Sequence, residues 1–386
     1  MKKILLIEPN PYHTDGLPGI VKYFSDLNYS IDIYIQNVLL YDNAFCLYPD
    51  PINLYGYEFS DIKSLLSASN IIEYDFVFFY SMEFTFNAGG GVHNIIQYLE
   101  FIPASKYGVL GIYHTTSFID RFKDFQFEAE GRLFCLSDFQ KNNYNIKSLT
   151  PIFFSENSSA IKRCKNNLVC IGGAFDENML ANALQRISLK NIMDIPKIYL
   201  YGARYVNKSI IEKMRAKIKY YIAIFAVYCK LLPFVGGISQ KIKYKILRYF
   251  YLQKYVIKKG YVSFNNLFTE ITESKYILVL INPLEEDHKH YMSFVTSGVR
   301  MLILGFNKVP IIHKTVAEKY GFDKDNSILF DETNLESVLL SISDFDKDYD
   351  QKSAALHHLY DKIYSQSLEN LKSVIEALEK NEKTIK

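Results

Sequence analysis

The sequence predicts an α/β protein with two doubly wound parallel sheets facing across a cleft and a basic helical insertion in the second domain. The chain has 386 residues, which is enough for about two to three average domains. Apolar runs of strand length alternate with helix-length segments, the pattern of parallel sheets covered on both faces. The alternation restarts near residue 165, so we expect domains at 1–164 and 165–335.

The first half begins with an apolar strand and a polar turn that leads into a helix. Its expected strands lie at residues 3–8, 29–35, 76–80 and 109–113, with helices at 17–27 and about 94–101. These segments have the apolar spacing of each element type. They form the β-loop-α-β units from which a parallel sheet is built.

The second half repeats this arrangement. Its expected strands lie at residues 168–171, 198–201, near 262, 276–281, 309–312 and 328–330, with helices at about 176–187 and 296–305. From residue 336 to 386 the pattern is helical, and we expect these helices to pack back toward the first domain, with a frayed tail.

Composition excludes several classes of protein. Hydrophobic residues make up 49% and charged residues 22%, which is typical of folded chains and not of disordered ones. Glu8 interrupts the first apolar run, so no signal peptide is expected, and no stretch is apolar enough for a spanning helix. The spacing of the five cysteines matches no zinc site and predicts reduced cytoplasmic thiols.

Charge is concentrated in one segment. Residues 204–259 hold 14 Lys and Arg residues and one acid, Glu212, for a net charge of +13 in a chain whose net charge is +2. A strand-to-strand connection needs about 12 to 20 helical residues, whereas this one is far longer. We therefore expect an insertion over residues 205–257.

The insertion has the pattern of two basic amphipathic helices, in which apolar residues recur at helical spacing beside cations. Such helices bind anionic membranes, at up to about 1 kcal/mol per cation, which predicts a protein on the inner face of the cytoplasmic membrane. The alternatives are packing on the protein's own sheet and a partner that is an acidic protein or a single-stranded nucleic acid; of these partners the membrane is the one we expect, and no nucleic acid is expected. The membrane candidates are Lys213, Arg215, Lys217, Lys219, Lys241, Lys243, Lys245 and Arg248.

The turn after the first strand is the first candidate site. It holds His13, Asp15, Gly16 and Gly19 before a helix. Glycines let backbone N–H groups approach a ligand, and a helix N-terminus favours an anion, so a phosphate or sugar is expected here. His13 or Asp15 would accept the proton of an attacking hydroxyl, unless Asp15 only caps the helix and His13 only fills the turn.

A second group follows the strand at 109–113. His114 and Thr115 stand at its carboxyl end, where parallel sheets bind ligands, and both side chains suit hydrogen bonding to a polyol. His114 is therefore a third candidate base, with a structural histidine as the alternative. The glycine run at 89–91 lacks the spacing of a dinucleotide-binding loop.

The second half carries groups suited to phosphates and diols. Glycines follow two strands, an arginine has the planar geometry that holds a diphosphate, hydroxyls stand at a helix N-terminus, and a carboxylate suits a sugar diol. Capping and a charged surface loop are the alternatives. The His and Asp residues at 287–290 have no specific metal-ligand spacing, so no metal is expected. The candidates are Gly172, Gly173, Arg204, Glu286, Ser293, Thr296, Ser297 and Arg300.

Taken together, these motifs resemble the GT-B superfamily of glycosyltransferases over nearly the full chain. The resemblance rests on the loop 13–19, the strand-end histidine of Ile112-Tyr113-His114-Thr115, the segment 169–173, and 301–312. It implies two Rossmann-like domains, with the acceptor on the first and the nucleotide-sugar donor mainly on the second. Retaining members often carry two glutamates seven residues apart, and Arg300 stands where the second would be.

The resemblance implies a glycosyltransferase, and because the sequence shows no metal-ligand cluster we expect it to be metal-independent and without a cofactor. We expect it to move a sugar from a nucleotide-sugar to a lipid-linked or cell-surface glycan, in bacterial polysaccharide or lipopolysaccharide synthesis. The alternatives are a nucleotide-sugar epimerase of the same fold and a catalytically degenerate scaffold of a polysaccharide assembly complex. Arg204, Arg300 and helix N-termini would stabilise the leaving diphosphate.

Overall fold

Two parallel sheets organise the computed structural model, which describes residues 1–10, 14–42, 44–81, 85–88, 91–94, 108–113, 131–141, 146–155, 165–172, 176–189, 195–202, 252, 254–293 and 297–385. The strands of the first half are β1 (Lys2–Glu8), β2 (Tyr29–Gln36), β3 (Asn53–Tyr57), β4 (Phe76–Phe79), β5 (Thr85–Ala88), β6 (Gly91–Asn94), β7 (Gly108–Tyr113), β8 (Leu133–Cys135) and β9 (Lys147–Ser148). Its helices are α1 (Leu17–Asp26), α2 (Ile62–Leu65) and α3 (Ala68–Ile71).

The first sheet has the order β3-β2-β1-β4-β7-β8-β9, with all its neighbours parallel. β1 is buried on both faces because its apolar run, Ile4 to Ile7, is covered by layers on either side. Strand order reverses between β1 and β4. This switch point is where open α/β sheets bind ligands.

The second half has strands β10 (Lys165–Ile171), β11 (Ile198–Tyr201), β12 (Val256–Gly260), β13 (Ser274–Val279), β14 (Val309–His313) and β15 (Ile328–Phe330). Its helices are α4 (Glu177–Leu189), α5 (Phe264–Glu273), α6 (Gly298–Gly305), α7 (Lys314–Tyr320), α8 (Leu335–Leu340), α9 (Ile342–Phe345) and α10 (Tyr349–Ile385). The sheet order is β12-β11-β10-β13-β14-β15, again parallel. Its switch point lies between β10 and β13.

Most expected strands and helices are confirmed within a few residues. The strand expected near Val262 is β12, which begins earlier, at Val256. The helix expected from Asn94 does not start there, because Asn94 ends β6, which pairs antiparallel with β5. Residues 95–107, where the rest of that helix was expected, lie outside the described residues.

The two halves share one hydrophobic core. Phe154 follows the first sheet, and its ring lies 5.4 Å from that of Phe268 in α5 and 5.1 Å from that of Phe306 after α6. Phe268 and Phe306 are themselves 5.2 Å apart. These three buried rings join the sheets into one packed unit.

The long helix α10 returns to the first half. The Thr150 N–H donates to Ser367 Oγ at 3.1 Å, and Asn370 Nδ2 donates to the Ser148 carbonyl at 2.8 Å. Tyr364 also hydrogen-bonds to Asp26 in α1. The chain's last helix therefore supplies buried polar partners to the domain that contains its first strand.

Candidate functional site

The carboxyl edges of the two sheets face each other. Asp15 lies in the turn after β1, and its Oδ2 is 3.1 Å from the position that a Cβ atom would take on Gly298, the first residue of α6. Asp42, after β2, accepts the N–H of Phe264 at 2.8 Å. Loops at the ligand-binding edge of one sheet thus contact those of the other.

Asp15 therefore stands opposite the N-terminus of α6. A helix N-terminus carries about half a positive charge, which stabilises a facing anion. A Cβ at position 298 would press against the Asp15 carboxylate, so glycine is the residue that lets the two segments approach. The sequence placed Asp15 on the correct loop; its role as a catalytic base stays a prediction.

Gly16 and Gly19 have a packing role in this structure. A Cβ on Gly16 would lie 1.9 Å from the Tyr80 hydroxyl, and one on Gly19 would lie 2.7 Å from backbone atoms of Pro151. The glycines thus let α1 approach its own domain closely. Their expected contact with an acceptor or phosphate stays a prediction.

Glu8 is a buried carboxylate that was not among the predicted site residues. It ends β1, and its Oε1 accepts the N–H of Asn10 at 2.6 Å while Oε2 accepts the Ser81 hydroxyl at 2.6 Å. Asn10 and Ser81 lie on the two loops that flank the switch point of the first sheet. Glu8 therefore holds in place the base of the loop that carries Asp15.

Asp176 fixes the switch point of the second sheet in a similar way. Its Oδ1 accepts the N–H groups of Asn178 at 2.7 Å and Met179 at 3.0 Å, and so caps α4. Its Oδ2 accepts Asn282 Nδ2 at 2.7 Å, from the loop after β13. The loops after β10 and β13 are thus joined by one carboxylate.

A pocket of about 200 Å³ opens beside Asp176. Its lining residues come from α4, from the loop after β13 and from the segment that leads into α8, including Asn182, Asn282 and Glu332. All of them belong to the second half of the chain. The pocket combines amide and carboxylate groups, which are able to hydrogen-bond a polar ligand.

Gly172 is the candidate whose backbone requires glycine. It follows β10 with a φ of +129°, a value that other residues adopt only with strain, and no atom of the residues that the structure describes lies within 4 Å of its Cβ position. The backbone at residue 172 therefore turns at the carboxyl edge of β10, with open space beside it. Such a backbone is suited to close approach by a ligand.

The three other exposed or capping candidates are placed along the loop from β13 to α6. Ser297 caps α6, since its Oγ accepts the N–H of Val299 at 3.4 Å. Ser293 donates to the Lys289 carbonyl at 3.4 Å, and Glu286 pairs with Lys289 while its side chain is 82% exposed. These contacts leave their predicted role in ligand binding untested.

Arg300 is buried, with 7% of its surface exposed. Its Nε donates to the Tyr320 carbonyl at 3.0 Å, and its Nη1 has no hydrogen-bond partner in the part of the chain that the structure describes. Burial lowers the pKa of the guanidinium to about 10, and Tyr320, Asp138 and Tyr23 partly offset this effect. The sequence pattern did not indicate that this cation is enclosed.

The remaining predicted residues lie outside the described residues: His13, His114, Thr115, Gly173, Arg204, Thr296, Lys213, Arg215, Lys217, Lys219, Lys241, Lys243, Lys245 and Arg248. Among the residues described, no helix is long and apolar enough to cross a membrane. Nor do the described ranges contain a group of three or more His, Cys, Asp or Glu side chains able to hold a metal ion. Metal independence stays a prediction.

Comparison with known proteins identifies the fold. No protein-family model and no curated protein matches the sequence. The structure of TarM is similar, with a TM-score of 0.55 and 10% identity over 97% of this chain and 98% of TarM. Anabaena HepE in complex with UDP-glucose gives 0.51 and 10%, covering 97% of this chain and all of HepE. An alpha-glucosyltransferase in complex with UDP gives 0.52 and 12%, covering 96% of this chain and 95% of that protein.

These likenesses extend over almost the whole of each chain, so they include both sheets. The predicted fold class is confirmed in its main feature, two Rossmann-like domains in one chain. With its two parallel sheets facing at their carboxyl edges and joined through a common core, the chain has the fold of the GT-B glycosyltransferases.

Proposed function

We propose that this protein is a glycosyltransferase that moves a sugar from a nucleotide-sugar to a lipid-linked or cell-surface glycan in polysaccharide or lipopolysaccharide synthesis. The observation that carries the proposal is the placement of Asp15, from the first domain, against the N-terminus of α6 in the second. The first domain thus supplies a proton acceptor, and the second domain supplies a helix N-terminus that stabilises anions next to it. UDP or UDP-glucose bound to two proteins of similar fold supports the donor class.

In the proposed reaction the acceptor hydroxyl oxygen forms a bond to the sugar's anomeric carbon, and the bond from that carbon to the phosphate oxygen breaks. A base on the first domain takes the hydroxyl proton; Asp15 is our first candidate, with His13 and His114 as the others. The nucleoside diphosphate leaves with the bonding electrons. Charge on it would be stabilised by α6, by the loop at Gly172 and by Arg204 and Arg300, without a metal.

The acceptor class is proposed from the basic insertion. A segment with a net charge of +13 between 204 and 259 suits an anionic membrane on its cytoplasmic side, where lipid-linked acceptors would be within reach. The proposed enzyme is therefore peripheral to the membrane. Retention of activity in a chelator would support the metal-independent mechanism, and loss of activity that Mg²⁺ or Mn²⁺ restores would contradict it.

Donor binding is tested by thermal unfolding with UDP-glucose, UDP and GDP-mannose. A ligand at 100 times its Kd stabilises the native state by about 2.7 kcal/mol, which is readily measured. Gly172→Ala should abolish this stabilisation because the loop must change its φ of +129°. Gly321→Ala is the matched control, since Gly321 also has a positive φ of +79° and open space but ends α7 elsewhere.

If no nucleotide-sugar stabilises the wild-type protein, the transferase proposal fails and the scaffold alternative is favoured. If a donor binds and is isomerised without any acceptor, the protein is an epimerase. If Gly321→Ala also abolishes the stabilisation, the effect of Gly172→Ala reflects general strain and does not locate the donor site.

A further inference from the structure

Apolar side chains are exposed together in the turn after β2. Tyr41 is 93% exposed, Val38 is 52% exposed and Leu40 is 39% exposed, within four consecutive positions. Single exposed apolar residues are ordinary on soluble proteins, whereas adjacent ones mark a surface that contacts a partner or a membrane. This turn therefore needs an explanation beyond the fold.

The same turn contacts the second domain. Asp42, next to Tyr41, accepts the Phe264 N–H at 2.8 Å and the hydroxyl of Tyr261. The Tyr261 side chain follows β12 and is 47% exposed. Val38, Leu40, Tyr41 and Tyr261 thus form a surface to which both domains contribute, which we term the interdomain apolar surface.

Cations border this surface on the side of the second domain. Lys254, Lys258 and Lys259 are exposed. The last two lie on β12 within three residues of Tyr261, and Lys258 Nζ pairs with Glu177 Oε1 at 2.7 Å. Lys259 Nζ is 5.3 Å from the ring of Tyr199, so its stem lies along an aromatic face. These lysines end the segment whose net charge is +13.

We propose that the interdomain apolar surface inserts into the headgroup layer of an anionic bilayer, with Lys254 and Lys259 beside the lipid phosphates. Tyrosines and aliphatic side chains bordered by cations are the composition that partitions into this layer. Because Asp42 joins the two domains at this surface, bilayer binding would also hold them in the arrangement seen here. The inference shares the anionic membrane with the proposed function but does not depend on sugar transfer.

The test is co-sedimentation of the full chain with vesicles of phosphatidylcholine and phosphatidylglycerol. The double variant Val38→Ser/Tyr41→Ser removes two exposed apolar side chains, each worth about tenfold in vesicle affinity if it is buried on binding. We expect a loss of at least tenfold. Ile72→Ser is the matched control, because Ile72 is 62% exposed in the first domain but follows α3; it should bind as the wild type does.

Three outcomes decide the inference. A wild-type protein that ignores these vesicles overturns it, and so does a double variant that binds as tightly as Ile72→Ser. A third result would also overturn it: vesicle binding is lost when charges of the insertion are reversed, as in Lys213→Glu/Lys217→Glu, but is unchanged in the double variant. Binding would then belong to the insertion alone. Melting temperatures should match the wild type in the Val38→Ser/Tyr41→Ser and Ile72→Ser variants, since the replaced apolar side chains are exposed.

Discussion

Replacing Arg300 by methionine tests whether this buried arginine serves donor binding or the stability of the fold. Arg300 is 7% exposed, and its Nη1 has no hydrogen-bond partner among the residues that the structure describes. It also lies in the first turn of α6, where a cation opposes the helix dipole. A charge that is enclosed, incompletely paired and unfavourably placed is expected to lower stability and to be retained for another reason.

The magnitude follows from the pKa. Burial lowers the pKa of Arg300 from 12.5 to about 10, and at 1.36 kcal/mol per unit this amounts to about 3 kcal/mol against the charged native state. Because the native pKa is below the unfolded one, the cost is constant below about pH 10 and disappears as the pH rises toward 12.5. Methionine removes this cost but also the hydrogen bond to the Tyr320 carbonyl, worth about 1.5 to 3 kcal/mol. The free energy of unfolding at pH 7 should therefore stay the same or rise by up to about 2 kcal/mol.

The assay pairs urea unfolding at pH 7 with calorimetric donor binding. Lys314→Met is the matched control: Lys314 also lies in the first turn of a helix, α7, but is 58% exposed and pairs with Asp331 at 3.3 Å, so its loss should change stability by less than about 1 kcal/mol. Arg300→Met should weaken donor binding at least tenfold. The reasoning is refuted if Arg300→Met lowers the free energy of unfolding by 2 kcal/mol or more and binds the donor normally, because Arg300 would then be structural.

Two further predictions concern the contact between the domains. Gly305→Ala would place a Cβ 2.3 Å from Phe154 Cδ2 and 2.4 Å from the Ile152 carbonyl, so thermal denaturation should show a loss of about 1 to 3 kcal/mol; an unchanged melting temperature would mean that the α6 contact is loose. Asp15→Asn should lower kcat about a hundredfold or more with little change in melting temperature, and unchanged turnover would transfer the role of base to His13 or His114.

Much of the fold was predictable because the central strands of a parallel sheet are continuous apolar runs. β1, β13 and β14 are buried along nearly their whole length and have this pattern. β3 was missed because it is an edge strand whose residues 53–57 are mostly exposed and include Gly56. Because most of its residues are exposed, β3 shows little of the apolar pattern that predicts a strand. Its extended conformation depends on its pairing with β2.

The candidate site was predictable only as separate loops. The sequence located Asp15 after the first strand and the start of α6 after a later one, but local patterns do not say which loops meet across domains. Glu8 was read only as an interruption of an apolar run, although a carboxylate at the end of a buried strand is itself unusual. Gly16 and Gly19 suggested ligand approach, which stays a prediction, and the packing of Tyr80 and Pro151 against the two glycines gave no signal in the sequence.

The placement of α10 has a consequence for biosynthesis. A ribosome releases the residues of the first sheet long before it polymerises Ser367 and Asn370, yet these two side chains complete the polar contacts of Thr150 and Ser148. The nascent first domain therefore becomes fully assembled only after residue 370 has been polymerised. Chains that a premature stop codon ends before Ser367 would lack these hydrogen bonds, and their incompletely folded first domain would be exposed to cellular proteases.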